Sequence, residues 1–293
     1  MQSKLFSTNY SLQVQGRLLD LSQPVVMGIL NVTPDSFYDG NLYGRKDQIQ
    51  EQAGKMLQEG AAIIDIGGYS SRPGALHIAE EEEISRVMPA IEAVLERYPD
   101  AILSVDTFRS GVARAAVQAG VSMVNDISAG TLDERMAETV ASLKVPYLAM
   151  HMRGTPQSMQ QESHYDDLIG EIIAYFHERL ARFQSLGIRD IAIDPGFGFA
   201  KTIHQNYELL KNLQELQLLG RPVVAGLSRK SMIWKTLGVT AAQALNGTTA
   251  LHMVALGKGA NILRVHDVLQ ACDCIRLWQH LHPFQQKQVS HEA

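Results

Sequence analysis

Eight short runs rich in β-formers recur along the 293-residue chain, and segments of helical character separate them. They are PVVMGIL (24–30), AAIIDI (61–66), AILSV (101–105), VSMVN (121–125), VPYLAM (145–150), DIAID (190–194), PVVAG (222–226) and NILRV (261–265). Runs apolar throughout, rather than at alternate positions, belong to strands buried on both faces, the condition of a parallel sheet covered by helices. The spacers carry helical signatures. Residues 47–59 place Ile49, Ala53, Met56 and Leu57 on one stripe and stop at Gly60, a C-cap. Residues 78–97 put their acids in the first turns, where the helix dipole favours them, and read as a solvated helix start. Helices are also expected over 110–119, 133–143, 163–185, 202–216, 240–257 and 268–281. Eight such units without a GxGxxG after the first strand favour a (β/α)8 TIM barrel over an open doubly wound sheet. Residues 1–24 then form an extension that is hairpin-like to about Asp20, 25–280 the barrel core of a single domain over 1–293, and 282–293 a tail.

Composition narrows the class. With 45% hydrophobic and 19% charged residues there is material for a large core, and a barrel takes about 250 residues. A net charge of −5 offers no field for a polyanion, so nucleic acid is excluded as a partner. No apolar run approaches the roughly 20 residues that cross a bilayer, and MQSKLFSTNYSLQ lacks a signal-peptide core. A soluble cytoplasmic protein without a membrane partner is expected. Cys272 and Cys274, two apart in a helix, diverge and do not bridge.

A barrel carries its site at the C-terminal strand ends. Here those ends hold Asn31, Asp65, Asp106, Asn125 with Asp126, His151, Asp194, Ser228 with Arg229 and Lys230, and Arg264 with His266. One acid after a strand is an ordinary cap or turn former, but caps need no lysine, arginine or histidine. Arg264 and His266, two apart on an extended segment, share a face and suit an anion, as phosphate sites after the last two barrel strands do. Arg229 and Lys230 diverge, so at most one enters the same cavity. Asp106, Asn125 and Asp194 suit a planar heterocycle with several N–H donors and carbonyl acceptors, because a buried carboxylate rejects analogues that leave its lone pairs unpaired. The rival, a metal cluster, lacks a tight ligand motif such as HExxH. Two loops mixing Gly, Pro and hydroxyls, 31–45 and 67–74, have the make-up of lids. The first carries Asp35 and Phe37; the second carries Arg72, with Gly67 and Gly68 as hinges.

Eight motifs in order identify a family. GILNVTPDSFYDG (28–40), IIDIGGYSSRPG (63–74), SVDT (104–107), VND (124–126), MHMRGTP (150–156), DPGFGFAKT (194–202), GLSRKS (226–231) and RVHD (264–267) resemble the signatures of dihydropteroate synthase over residues 25–280. The resemblance implies a transferase of folate biosynthesis that joins 6-hydroxymethyl-7,8-dihydropterin pyrophosphate to p-aminobenzoate, is competed by sulfonamide mimics, and is a homodimer. It implies that Asp106, Asn125, Asp194, Lys230 and Arg264 bind pterin, with Asp35, Asp106, Lys230 and Arg264 catalytic. Ser71, Arg72, Arg264 and His266 would take the pyrophosphate, and Phe37, Pro73, Phe199, Ser228 and Arg229 the p-aminobenzoate. Asn31 would be the protein ligand of a Mg2+ carried in by the pyrophosphate. Many members have Glu where Tyr69 stands and Gly where Ala200 stands. A methyltetrahydrofolate methyltransferase barrel would need the pterin acids but neither the Arg264/His266 pair nor the Arg72 loop. A non-catalytic pterin-binding paralogue is opposed by intact Asn31, Asp35, Arg72, Lys230, Arg264 and His266.

Overall fold

In the computed structural model, which describes residues 10–33, 42–70 and 77–282, the eight apolar runs form one parallel sheet. Its strands are β3 (Val25–Asn31), β4 (Ile63–Gly67), β5 (Leu103–Asp106), β6 (Met123–Asp126), β7 (Tyr147–Met150), β8 (Ile191–Asp194), β9 (Val224–Ala225) and β10 (Ile262–Val265). They lie in the order β8-β7-β6-β5-β4-β3-β10-β9, and a parallel bridge between Ile193 and Val223 joins the two edges. The ring closes, as the alternation of units required.

Helices follow the strands: α1 (Leu42–Glu59), α2 (Glu80–Arg97), α3 (Ser110–Gln118), α4 (Met136–Leu143), α5 (Leu168–Ser185), α6 (Ile203–Lys211), α7 (Ser231–Leu237), α8 (Leu245–Gly257) and α9 (Val268–Leu281). Gly60 ends α1 with φ +104°, as its C-cap role demands. The short α7 has no counterpart in the periodicity, since seven residues hold too few turns to show one. Four acids do open α2, but the fourth is not solvated: Glu83 is fully buried and pairs with Arg109 at 2.5 Å. Burial pushes its carboxyl up, against the pull of Thr107 and Arg109.

Side-chain parity divides the strands between two cores. One set, including Val26, Ile64, Ile66, Val105, Val124, Ile193 and Leu263, packs outward against the helices. The other set, Met27, Ile63, Met123, Leu148, Ala192, Val224 and Ile262, fills the barrel floor. An antiparallel hairpin of β1 (Ser11–Val14) and β2 (Arg17–Asp20) seals that floor with Leu12 and Val14, joined there by Leu21. Its turn, Gln15–Gly16, has φ of +50° and +75°, the paired positive values that match strand twist in a two-residue loop. Two residues beyond the floor set on four strands stand Asp65, Asn125, Asp194 and Arg264. The parity that buries the apolar floor therefore lifts these four into the barrel mouth.

Leu12→Ala empties part of the floor without reaching the mouth. It is expected to cost about 2–5 kcal/mol in urea denaturation while leaving turnover of the folded enzyme unchanged.

Candidate active site

Arg264 crosses the mouth from β10. Its Nε donates to Asp65 Oδ2 at 2.7 Å and its Nη2 to Asp106 Oδ2 at 2.6 Å. Asn125 Nδ2 donates to the same Asp65 oxygen at 2.9 Å. Asp65 thus fixes both the plane of the guanidinium and the orientation of the Asn125 amide, whose oxygen is left as the acceptor. Burial works against the Arg264 charge, yet Asp65 and Asp106 outweigh it and hold the guanidinium protonated. Burial drives the Asp106 carboxyl up to about 7; Arg264 opposes the rise, and the charges of Asp65, Glu83 and Asp126 add to it. Asp126 itself faces the other way: its oxygens accept from Ser128 N, Ser128 Oγ, Gly130 N and Tyr147 Oη, so it holds a turn and not a ligand.

Across the mouth, burial raises the Asp194 carboxyl, partly offset by the Gly196 N–H at 2.8 Å and by the charge of Lys230. A Cβ at Gly226 would lie 3.4 Å from Asp194 Oδ2, so the last residue of the PVVAG run leaves that carboxylate room. Lys230 Nζ sits 4.3 Å from the ring centroid of Phe199, a cation–π contact. Ser228 Oγ lies 3.0 Å from His266 Nδ1 and accepts the His266 backbone N–H at 3.1 Å. Burial, then the Arg264 charge, lowers His266 to about 4, leaving a neutral ring that donates through one nitrogen. Asn31 ends β3 beside Gly67: a Cβ on that glycine would come within 3.4 Å of Asn31 Oδ1 and 3.6 Å of Asp106 Cβ.

Several expectations change. Arg229 does diverge from Lys230, and Nε and Nη2 of its guanidinium reach Asp267 at 2.8 Å each, while Nη1 reaches the carbonyls of Ala241 and Ala242. Asp267, three residues past Arg264, thus takes two of its donors. Gly67 and Gly68 are not hinges. Gly67 is the last residue of β4, and a Cβ on Gly68 would stand 2.7 Å from Val87 Cγ1, so this glycine allows α2 its close approach. Tyr69 is buried, stacks edge-on to Phe108 at 5.0 Å, accepts from Gln157 Nε2 at 2.8 Å and shares an apolar cluster with Phe199. Asp35, Phe37, Ser71, Arg72 and Pro73 lie outside the described residues. Asp65 and Lys201, to which the strand-end reading gave no task, each hold several groups around the mouth in place. Parity marks Asp65 as inward-facing; nothing in the motif spacing marks Lys201.

The pterin-binding enzyme family model matches residues 27–266. The dihydropteroate synthase of Haemophilus influenzae is 44% identical over 271 residues, covering 92% of this chain and 98% of that protein. The chain belongs to the dihydropteroate synthase family. Among solved structures, the Xanthomonas albilineans enzyme with 4-aminobenzoic acid superposes with a TM-score of 0.87 at 41% identity, covering 94% of this chain and 100% of that one. The Yersinia pestis enzyme in a sulfonamide drug complex gives 0.86 at 42%, covering 93% and 99%. The function that goes with this family is dihydropteroate synthesis, which makes the chain a transferase.

Asp65→Asn removes a negative neighbour of Asp106 and leaves Arg264 in place. The Asp106 titration, followed by 13C NMR of labelled aspartate, is expected to move down from about 7; a midpoint that stays or rises refutes the shared-arginine account.

Proposed function

We propose that the mouth residues divide the family's reaction as follows. Dihydropterin pyrophosphate enters with its ring between Asp106, Asn125 and Asp194, whose acceptor atoms suit the ring N–H groups, while Lys230 suits a ring acceptor. Arg264 lies against the ring and, with His266, takes the pyrophosphate. The observation that carries this reading is the convergence of an inward carboxylate, an oriented amide, a second carboxylate and a half-buried arginine from four strands on one opening. Phe199 and Ser228 lie on the side where p-aminobenzoate would stand, with Lys230 between the two subsites. The structures of relatives with 4-aminobenzoic acid support that second substrate.

The chemistry follows from charge. The bond between the pterin methylene carbon and the pyrophosphate oxygen breaks first, the electron pair leaving with the oxygen, and Arg264 and His266 disperse the charge the departing group gains. The electron-rich ring delocalises the positive charge left on the carbon, with Asp106 as the near carboxylate; the arylamine nitrogen then donates its pair to the carbon and loses a proton. The exclusion of water at this stage keeps the cation for the amine.

Among the described residues no group of three or more His, Cys, Asp or Glu side chains could hold a metal ion. A lone amide oxygen, Asn31 Oδ1, beside the Asp106 carboxylate fits a hard cation that brings phosphate oxygens with it, so Asn31 would hold Mg2+. Bound there, Mg2+ neutralises pyrophosphate charge. Partners are small molecules and a second copy of the chain: Val254 on α8 and Leu277 and Leu281 on α9 are 42%, 61% and 69% exposed, an apolar face suited to a homodimer. No helix among the described residues is long and apolar enough to cross a membrane, consistent with work in the cytoplasm.

The purified protein with dihydropterin pyrophosphate, p-aminobenzoate and Mg2+ is expected to form dihydropteroate and to stop when the metal is chelated; no product refutes the reading. Pterin pyrophosphate needs ionised Asp106, so its affinity is full above about 7 and falls as pH drops through that value, up to about tenfold per unit. Calorimetry from pH 8 downward tests this, and a flat profile contradicts it. Light scattering should give a dimer mass that Leu277→Glu reduces to a monomer's.

A further inference from the structure

The turn between β8 and α6, residues 195–202, is wound more tightly than any task given to it so far requires. Gly196, Ala200 and Gly198 have φ of +74°, +48° and +80°, so every second residue is left-handed. At Ala200 that conformation costs about 1–2 kcal/mol, and a Cβ at Gly196 would come within 2.0 Å of the His151 carbonyl oxygen. Something must hold this shape.

Lys201 supplies it from inside. Its side chain is buried, and Nζ lies 3.1 Å from each of three acceptors: Gly196 O, Phe199 O and His151 Nδ1. An ammonium has three donors and no acceptor, so this set suits the charged form and leaves no bond spare. Asn206 on α6 clamps the same turn from outside, accepting from Gly198 N at 2.7 Å and donating to the carbonyls of Lys201 and Thr202. What the turn presents to the mouth is the Phe199 ring under Lys230 Nζ, with Gly198 against the Lys230 stem.

We propose that Lys201 is a positioning residue for the condensation: its buried ammonium winds the 195–202 turn into the shape that sets Phe199 beneath Lys230 and so shapes the seat of the arylamine. This rests on the assignment of Phe199 to the p-aminobenzoate side. Asp194 ends β8, where the ladder to β7 sets it opposite Met150, so the pterin seat survives when the ammonium is lost. Charged and titratable groups face Lys201 from every side: His151 and Arg153 at the end of β7, Asp194 on β8 and Lys230 before α7. Burial lowers the amine to about 7, with Asp194 opposing and Arg153 and Lys230 adding to the fall.

The test is Lys201→Met, which keeps the length and removes all three donors. KM for p-aminobenzoate is expected to rise on the order of tenfold or more, while the Kd for dihydropterin pyrophosphate, by calorimetry, stays near wild type. Asn206→Ala, which loosens the same turn without emptying its interior, should give the same split if the methionine variant does not fold. Equal losses at both substrates, or no loss at either, overturn the proposal. Wild-type enzyme that makes no dihydropteroate fails the functional reading instead, so the two failures are distinguishable.

Discussion

Everything at the mouth is arranged around one half-buried cation, Arg264, suspended between Asp65 and Asp106. Three charges from three strands cannot be taken out of water unless they pair, since breaking a buried pair by removing one partner costs about 3–5 kcal/mol. The pairing therefore fixes the relative positions of β4, β5 and β10 at their C-terminal ends as firmly as the apolar floor fixes them below. One guanidinium cannot neutralise all the acids of the mouth, and burial raises the carboxyls of both Asp106 and Asp194. Such groups accept a hydrogen bond readily from a ligand donor, because that bond relieves the desolvation they already suffer.

The division of labour between neighbours follows from the same parity. Asn125 and Asp126 are adjacent on β6, yet one faces inward with its amide oxygen unspent and the other faces outward with four bonds satisfied. Either residue read alone is a polar strand end. Only the alternation, anchored by Met123 in the floor and Val124 against the helices, says which is available to a ligand.

That is also the measure of what was legible beforehand. Strands, ring closure and the floor hairpin follow from apolar runs and their spacing, and Asp106, Asn125, Asp194 and Arg264 stand at strand ends, while the pterin roles come from the family resemblance. Asp65 is one polar strand end among eight; the count from Ile63 places it inward, but its partner Arg264 comes from β10, two strands away across β3. Gly68 and Glu83 were misread for a different reason. A glycine required by the approach of Val87, and a glutamate drawn inside by Arg109, take their meaning from partners 19 and 26 residues away, and local pattern carries no trace of those contacts.

Lys201 and Lys230 show the limit most sharply. Both are lysines close to one turn, but their surroundings differ in kind. Lys230 meets the aromatic face of Phe199, and its stem runs close enough to Gly198 that a Cβ there would lie 3.1 Å from Lys230 Cδ. Lys201 meets three acceptors in a closed set, which excludes a ligand and turns the charge to holding backbone. An ammonium with every donor spent on the protein cannot bind substrate. That closed set arises only when the coil of Gly196, Gly198 and Ala200 brings two carbonyls to one point.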